Sequence, residues 1–103
     1  MVKVSVLYPN GAGTKFDMAY YVSRHIPMVQ QLLGSSLKGV AVEYGISGMQ
    51  PGSAATYAAM GHLLFDSLEE FQACWAPHAQ AIVGDVPNYT NSEPLIQISE
   101  VKL

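Results

Sequence analysis

The chain has 103 residues and a mass of 11.1 kDa, enough for one domain over residues 1–103 and no second. Charged residues are 13% of it, against about 25% in an average soluble domain, while apolar residues are 50%, so a normal core's supply of apolar residues meets too few charges to clothe a small monomer. The net charge of −3, with no basic stripe, excludes nucleic acid and anionic membrane as natural partners, and no apolar run reaches the roughly 18 residues that cross a bilayer.

Cys74, the single cysteine, has no intrachain partner. No basic and then apolar leader opens the chain, so a cytoplasmic location is expected. A folded chain of this mass exposes roughly 5,700 Å². The charge deficit predicts that a second copy or a partner covers part of that surface.

Val2, Val4, Val6 and Tyr8 alternate with Lys3, Ser5 and Leu7, the period of a strand, until Pro9, Asn10 and Gly11 break it. Met18, Tyr21, Val22, His25, Val29, Leu32 and Leu33 then recur at spacings of three and four, the stripe of a helix with Asp17 as its N-cap. Pro27 costs about 3 kcal/mol inside a regular helix. It predicts a kink, or two short helices with Pro27 near the start of the second, and Gly34 ends the run. Residues 38–46 read as a strand, residues 47–56 as a loop with Gly48, Pro51 and Gly52, and residues 57–65 as a strand so apolar that burial on both faces is expected.

Ser67 and Glu70 form a capping box for a second helix, whose stripe is Leu68, Phe71, Trp75, His78, Ala79 and Ile82. Pro77 interrupts it and Gly84 ends it. A polar loop over residues 85–92 and a strand over residues 96–103 complete the chain. The order β-α-β-β-α-β predicts an α+β, ferredoxin-like sandwich, with four antiparallel strands and both helices on one face. The other face reads as Val, Leu, Ile or Met, so a homodimer through the open sheet face, barrel-like in form, is expected.

Three histidines are the candidates for chemistry. His25 lies on the inward stripe, two residues before Pro27. It is either a buried ring bonded to a carbonyl freed by the proline or a ring aimed into a pocket at a helix break. His78 occupies the matching place after Pro77, and is either a packed core ring that never titrates or, desolvated by the Trp75 indole, a general base. His62, inside the third strand, needs a polar partner and faces either the helices or the barrel interior.

The histidine spacing, and Cys74 four residues before His78, give no metal signature, so no metal is expected. No Gly-x-Ser-x-Gly appears, and Phe16 stands where a third glycine would complete a dinucleotide fingerprint after Gly11 and Gly13, so no cofactor is expected either. Six tyrosines suit an apolar pocket whose hydroxyls orient a polar substrate atom. Tyr8, Tyr21, His62, Trp75, Asp85 and Tyr89 are the substrate-binding candidates, and Asp85 is either a turn residue or the orienting partner of His78 or His25.

Tyr8-Pro9-Asn10, Phe16-Asp17 with Tyr20-Tyr21, His25-Ile26-Pro27 and Leu32-Leu33-Gly34 resemble the short members of the EthD family, named for ethyl tert-butyl ether degradation. Phe65-Asp66-Ser67, Pro77-His78 and Asp85-Val86-Pro87-Asn88-Tyr89-Thr90 resemble its C-terminal half. The resemblance implies a dimeric α+β barrel. Its wider superfamily includes cofactor-independent monooxygenases, polyketide cyclases, lactone isomerases, dehydratases and larger haem enzymes. The family's His-x-Pro histidine falls on His25, and the pocket histidine of small polyketide cyclases falls near His78.

The expected function is therefore cofactor-independent acid–base chemistry of lyase, isomerase or cyclase type on a small apolar organic compound, aromatic or polyketide-like, in a degradation pathway. His78 is the expected base, His25 the acid or orienting donor, and Tyr8 or Tyr89 holds a carbonyl oxygen. The alternatives are a non-catalytic ligand-binding or accessory protein of a catabolic or monooxygenase pathway, and a purely structural partner.

Overall fold

Val4 sets the register of the sheet, lying opposite Leu63 on one side and Ile98 on the other. A computed structural model describes residues 1–103. Strand β1 (Val2–Pro9) leads into a helix that begins as α1 (Met18–Tyr20), passes through a π-helical turn at Tyr21–His25 and continues as α2 (Ile26–Leu33). Strands β2 (Gly39–Tyr44) and β3 (Tyr57–Phe65) follow, then helices α3 (Leu68–Trp75) and α4 (Ala79–Gly84), and finally β4 (Leu95–Glu100). The strands pair antiparallel in the order β2-β3-β1-β4, which with this element order is the α+β, ferredoxin-like fold.

The predicted caps are present. The Asp17 carboxylate accepts from the Tyr20 amide and the Ser67 hydroxyl from the Glu70 amide, each cap contributing about 1 kcal/mol. Gly34 closes α2 with φ of 60°, a left-handed value that favours glycine. Pro27 sits in the first turn of α2, where its missing N–H costs little. The chain absorbs it with the π-helical turn, in which the Ile26 amide bonds the Tyr21 carbonyl five residues back. At Pro77 the second helix does break, between Trp75 and Ala79.

Two sequence expectations need correction. Strand β3 is not equally buried on both faces: Ala59, Gly61, Leu63 and Phe65 are buried under the helices, while Ala58, Met60, His62 and Leu64 on the other face are half-buried. That open face is also not uniformly apolar. Leu7, Met60, Leu64 and Leu95 share it with Lys3, Glu43, Gln97 and Ser99. A hydrogen-bonded row crosses it from Ser5 Oγ to His62 Nδ1 (2.8 Å) and from His62 Nε2 to Glu43 Oε1 (2.9 Å). The apolar-only reading failed because a period-two strand hides its polar members among small and apolar neighbours until register is known.

Under the helices the core falls into two clusters. Val4, Val29, Leu33, Leu63, Phe65, Phe71 and Ile82 form an aliphatic and phenyl core. Tyr8, Tyr21, Ile26, Ala59 and Tyr89 form a second core towards the end of the sheet where β1 finishes. Val22 and Leu68, predicted to lie on the inward stripes, are exposed.

Candidate functional site

The second core is an aromatic cluster with a polar side. Tyr8, at the end of β1, meets Phe16, Tyr21 and Tyr89 in edge-to-face contacts with ring centroids 5.0–5.9 Å apart. Such pairs contribute about 0.5–1.5 kcal/mol each beyond their burial. Two distant loops are stitched together to bring Tyr89 here. Phe16 bridges Thr90, the Asp17 amide donates to the Tyr89 carbonyl (2.7 Å), and the Thr90 hydroxyl donates to the Lys15 carbonyl (2.6 Å). This stitching also fixes the neighbouring Asp85.

His25 is buried at the end of the π-helical turn, its ring stacked on Tyr21 with centroids 5.3 Å apart and 15° between planes. Its Nδ1 lies 2.8 Å from Asp85 Oδ2. The other carboxylate oxygen accepts from the Tyr20 hydroxyl and the Asn88 amide, both at 2.8 Å. Burial by itself would raise the Asp85 carboxyl; hydrogen bonds from Asn88, His25 and Tyr20 outweigh it and hold Asp85 below the usual carboxylate value. Burial lowers His25 from its ordinary value of 6.5, with Asp85 opposing, so the ring is neutral at pH 7. A neutral ring that donates Nδ1–H to a carboxylate leaves Nε2 as an acceptor.

Nε2 lies 3.5 Å from the Tyr89 hydroxyl, which in turn is 2.7 Å from the Tyr8 hydroxyl. Either hydroxyl of the Tyr8–Tyr89 pair can donate, and when Tyr8 does, the Tyr89 hydroxyl is free to turn its proton toward His25 Nε2. Burial raises all three phenols above their ordinary value of 10, so each keeps its proton at any physiological pH.

His25 and the three tyrosines line a cavity of about 220 Å³ between sheet and helices. Its walls include Val6, Ile26, Val29, Leu63, Trp75 and Ile96, with Glu93 and Pro94 also contributing. A dry 150 Å³ cavity holds benzene, so this one, about half as large again, has room for an aromatic compound of one substituted ring or two fused rings. No three His, Cys, Asp or Glu side chains converge as metal ligands would.

Of the residues singled out from sequence, His25, Tyr8, Tyr21, Trp75 and Tyr89 share the cavity. Asp85 backs it through His25. The carbonyl-bonded alternative for His25 is corrected: its partner is that carboxylate. His78 is not among the cavity residues; it precedes α4, its amide bonded to the Trp75 carbonyl. His25 and His78 therefore do not share this cavity. His62 lies on the open face of the sheet, outside the cavity. Sequence reading missed Glu93, and only its position just before the last strand could have placed it.

Fold and site together define a class, a small ferredoxin-like α+β protein with an apolar cavity tipped by a His–Asp pair and tyrosine hydroxyls. The EthD domain matches residues 11–93, and the chain belongs to the EthD family. It is similar to an EthD-like protein from Ralstonia eutropha JMP134, at 43% identity over 99% of this chain and 92% of that one, with a TM-score of 0.94. An ethyl tert-butyl ether degradation family protein from Bacillus halodurans C-125 shares the fold at 20% identity and a TM-score of 0.74, over 99% of both chains. So does a dimeric ferredoxin-like protein from Thermobifida fusca YX, at 14% identity and a TM-score of 0.59, over 97% of this chain and 90% of that one. No curated protein matches the chain.

Proposed function

We propose that this EthD-family protein performs cofactor-independent acid–base chemistry, of lyase, isomerase or cyclase type, on a small and largely apolar compound such as a substituted aromatic or polyketide-like carbonyl. The observation that carries the reading is His25: a buried, neutral imidazole whose Nδ1–H is held by Asp85 and whose Nε2 is weakly engaged at 3.5 Å. The base role expected of His78 passes to His25.

In this mechanism the ligand's ring sits against Val6, Leu63 and Ile96, and its carbonyl oxygen accepts from the Tyr89 or Tyr8 hydroxyl. His25 Nε2 removes a proton from the adjacent carbon, and the Asp85 carboxylate stabilises the imidazolium that forms. The two hydroxyls stabilise the enolate, and the proton returns to another atom or assists a leaving group. The chain works as a homodimer through the open sheet face, in keeping with its charge deficit and its likeness to the dimeric Thermobifida fusca protein.

One observation favours a non-catalytic binding role instead. Every buried side-chain nitrogen and oxygen already has a hydrogen-bond partner, so the empty site is self-satisfied. Deuterium exchange separates the two readings without knowledge of the substrate. A panel of aryl ketones incubated with the protein in D₂O is expected to incorporate deuterium beside the carbonyl faster than in buffer alone, and His25→Gln to bring the rate back to that of buffer while still binding the compounds. Tight binding with no exchange beyond that of buffer in the wild type would overturn the catalytic reading and leave the binding one.

A further inference from the structure

We propose that the cavity is completed in trans: the hairpin between β2 and β3 of a second copy, through Ile46 and Met49, seals the open side of the cavity beside β4. The proposal rests on the reading of the cavity as a ligand site. Ile46 is 95% exposed and Met49 100% exposed. The hairpin that presents them is nevertheless ordered. The Gly45 amide donates to the Ala58 carbonyl (2.8 Å), the Gly48 amide to the Ser53 carbonyl (3.3 Å), and the Ser53 amide and hydroxyl to the Gln50 carbonyl (3.1 and 2.6 Å). An ordered segment that holds two large apolar side chains in water, on a chain short of charges, is built to be covered.

The cavity has the complementary defect. Ile96 on β4 and Val83 on α4 belong to its walls, yet both are half-exposed. The protein's own hairpin is badly placed to cover them, because the order β2-β3-β1-β4 sets β2 and β4 at opposite edges of the sheet. The two edges run antiparallel to each other, so Tyr44 at the end of β2 and Leu95 at the start of β4 both lie at the end where Tyr8 finishes β1. A two-fold axis along the strands, stacking the two open faces, brings each β2 edge and its hairpin beside the other copy's β4.

Area and polarity agree with this arrangement. The chain exposes 6381 Å² against roughly 5,700 Å² for a compact monomer of its mass. The polar row on the open face is already paired, Ser5 to His62 to Glu43, so covering it orphans neither ring nitrogen of His62. Both sheet edges are capped in the same step, which removes the hazard of exposed apolar edge strands.

The test is subunit complementation, with 1-naphthol as the cavity probe, followed by its own fluorescence. Ile46→Asp/Met49→Asp is expected to stay folded by circular dichroism and to bind 1-naphthol at least tenfold more weakly. Val83→Trp, which plugs the cavity's open side but keeps the hairpin, is expected not to bind. Mixing the two under subunit exchange is expected to restore tight binding in roughly a quarter of the subunits, because random pairing gives half of the hairpin-variant chains an intact hairpin from the partner. No restoration, or wild-type affinity in the hairpin variant, overturns the proposal alone. A wild-type protein that does not bind 1-naphthol overturns the cavity reading and the proposal with it.

Discussion

His25 and His62 each hold a carboxylate at hydrogen-bond distance, 2.8 Å to Asp85 and 2.9 Å to Glu43, yet they are different devices. The side chains of the first pair are 5% and 14% exposed, those of the second 19% and 46%. Water and salt screen the outer pair, whereas the inner one sits where electrostatics are strong. The remaining nitrogen differs too. His62 Nδ1 is taken by Ser5 at 2.8 Å, while His25 Nε2 has only Tyr89 at 3.5 Å, beside an apolar cavity. A His–carboxylate pair thus becomes a candidate base through burial and an uncommitted second nitrogen, and the pairing distance alone does not distinguish the two.

The largest effect that separates the two pairs is expected from their carboxylates. Asp85→Asn places an amide against His25 Nδ1. The amide can donate there and force the proton onto Nε2, leaving no base in the cavity. Deuterium exchange is expected to fall by about 10²–10⁴-fold. Glu43→Gln makes the same chemical change on the open face and is expected to leave exchange unaltered. Comparing exchange rates of the two variants at pH 7 checks this, and equal losses would break the distinction.

Gly61 and His62 are neighbours in β3 whose side chains face opposite ways. A Cβ at position 61 would run into the Tyr21 hydroxyl, so glycine is what lets that phenol lie against the sheet. Gly61→Ala is expected to destabilise by about 1–3 kcal/mol, the usual cost of overpacking. In a domain of this size that lowers Tm by roughly 4–8 °C per kcal/mol. Differential scanning calorimetry measures it, and an unchanged Tm would show that Tyr21 can move without cost.

Much of the frame was legible because local rules and tertiary demands coincide. Strand 57–65 was placed to the residue, and Asp17, Ser67, Gly34 and Gly84 end their helices as predicted. The aromatic cavity residues Tyr8, Tyr21 and Tyr89 were singled out by type and position. The link between His25 and Asp85 spans 60 residues and depends on the Phe16–Thr90 stitch, which no periodicity reports; sequence could offer Asp85 only as one possible partner of either histidine. His78 falls outside the cavity because the break after Trp75 reorients the chain within the apolar stripe. For His62 the sequence leaves both faces open, because face assignment within an apolar strand needs the register of both neighbours.

The smallest contrast lies in the pH dependence of stability. Unfolded, His25 takes up a proton near pH 6.5; folded, its burial beside the cavity lowers that point against the pull of Asp85. Between the two values the unfolded chain binds more protons than the native one. Stability is therefore full above pH 6.5 and declines as pH falls through the folded value, with Asp85 adding a further loss below its ordinary 3.8 as its depressed carboxyl protonates. Urea denaturation from pH 8 to pH 5 is expected to show this decline, and His25→Gln to flatten it. His62→Gln removes only a screened pair and is expected to cost at most about 1 kcal/mol. If His62→Gln flattened the curve and His25→Gln did not, the proton-sensitive histidine would be the one on the sheet face, and the cavity would lose its candidate base.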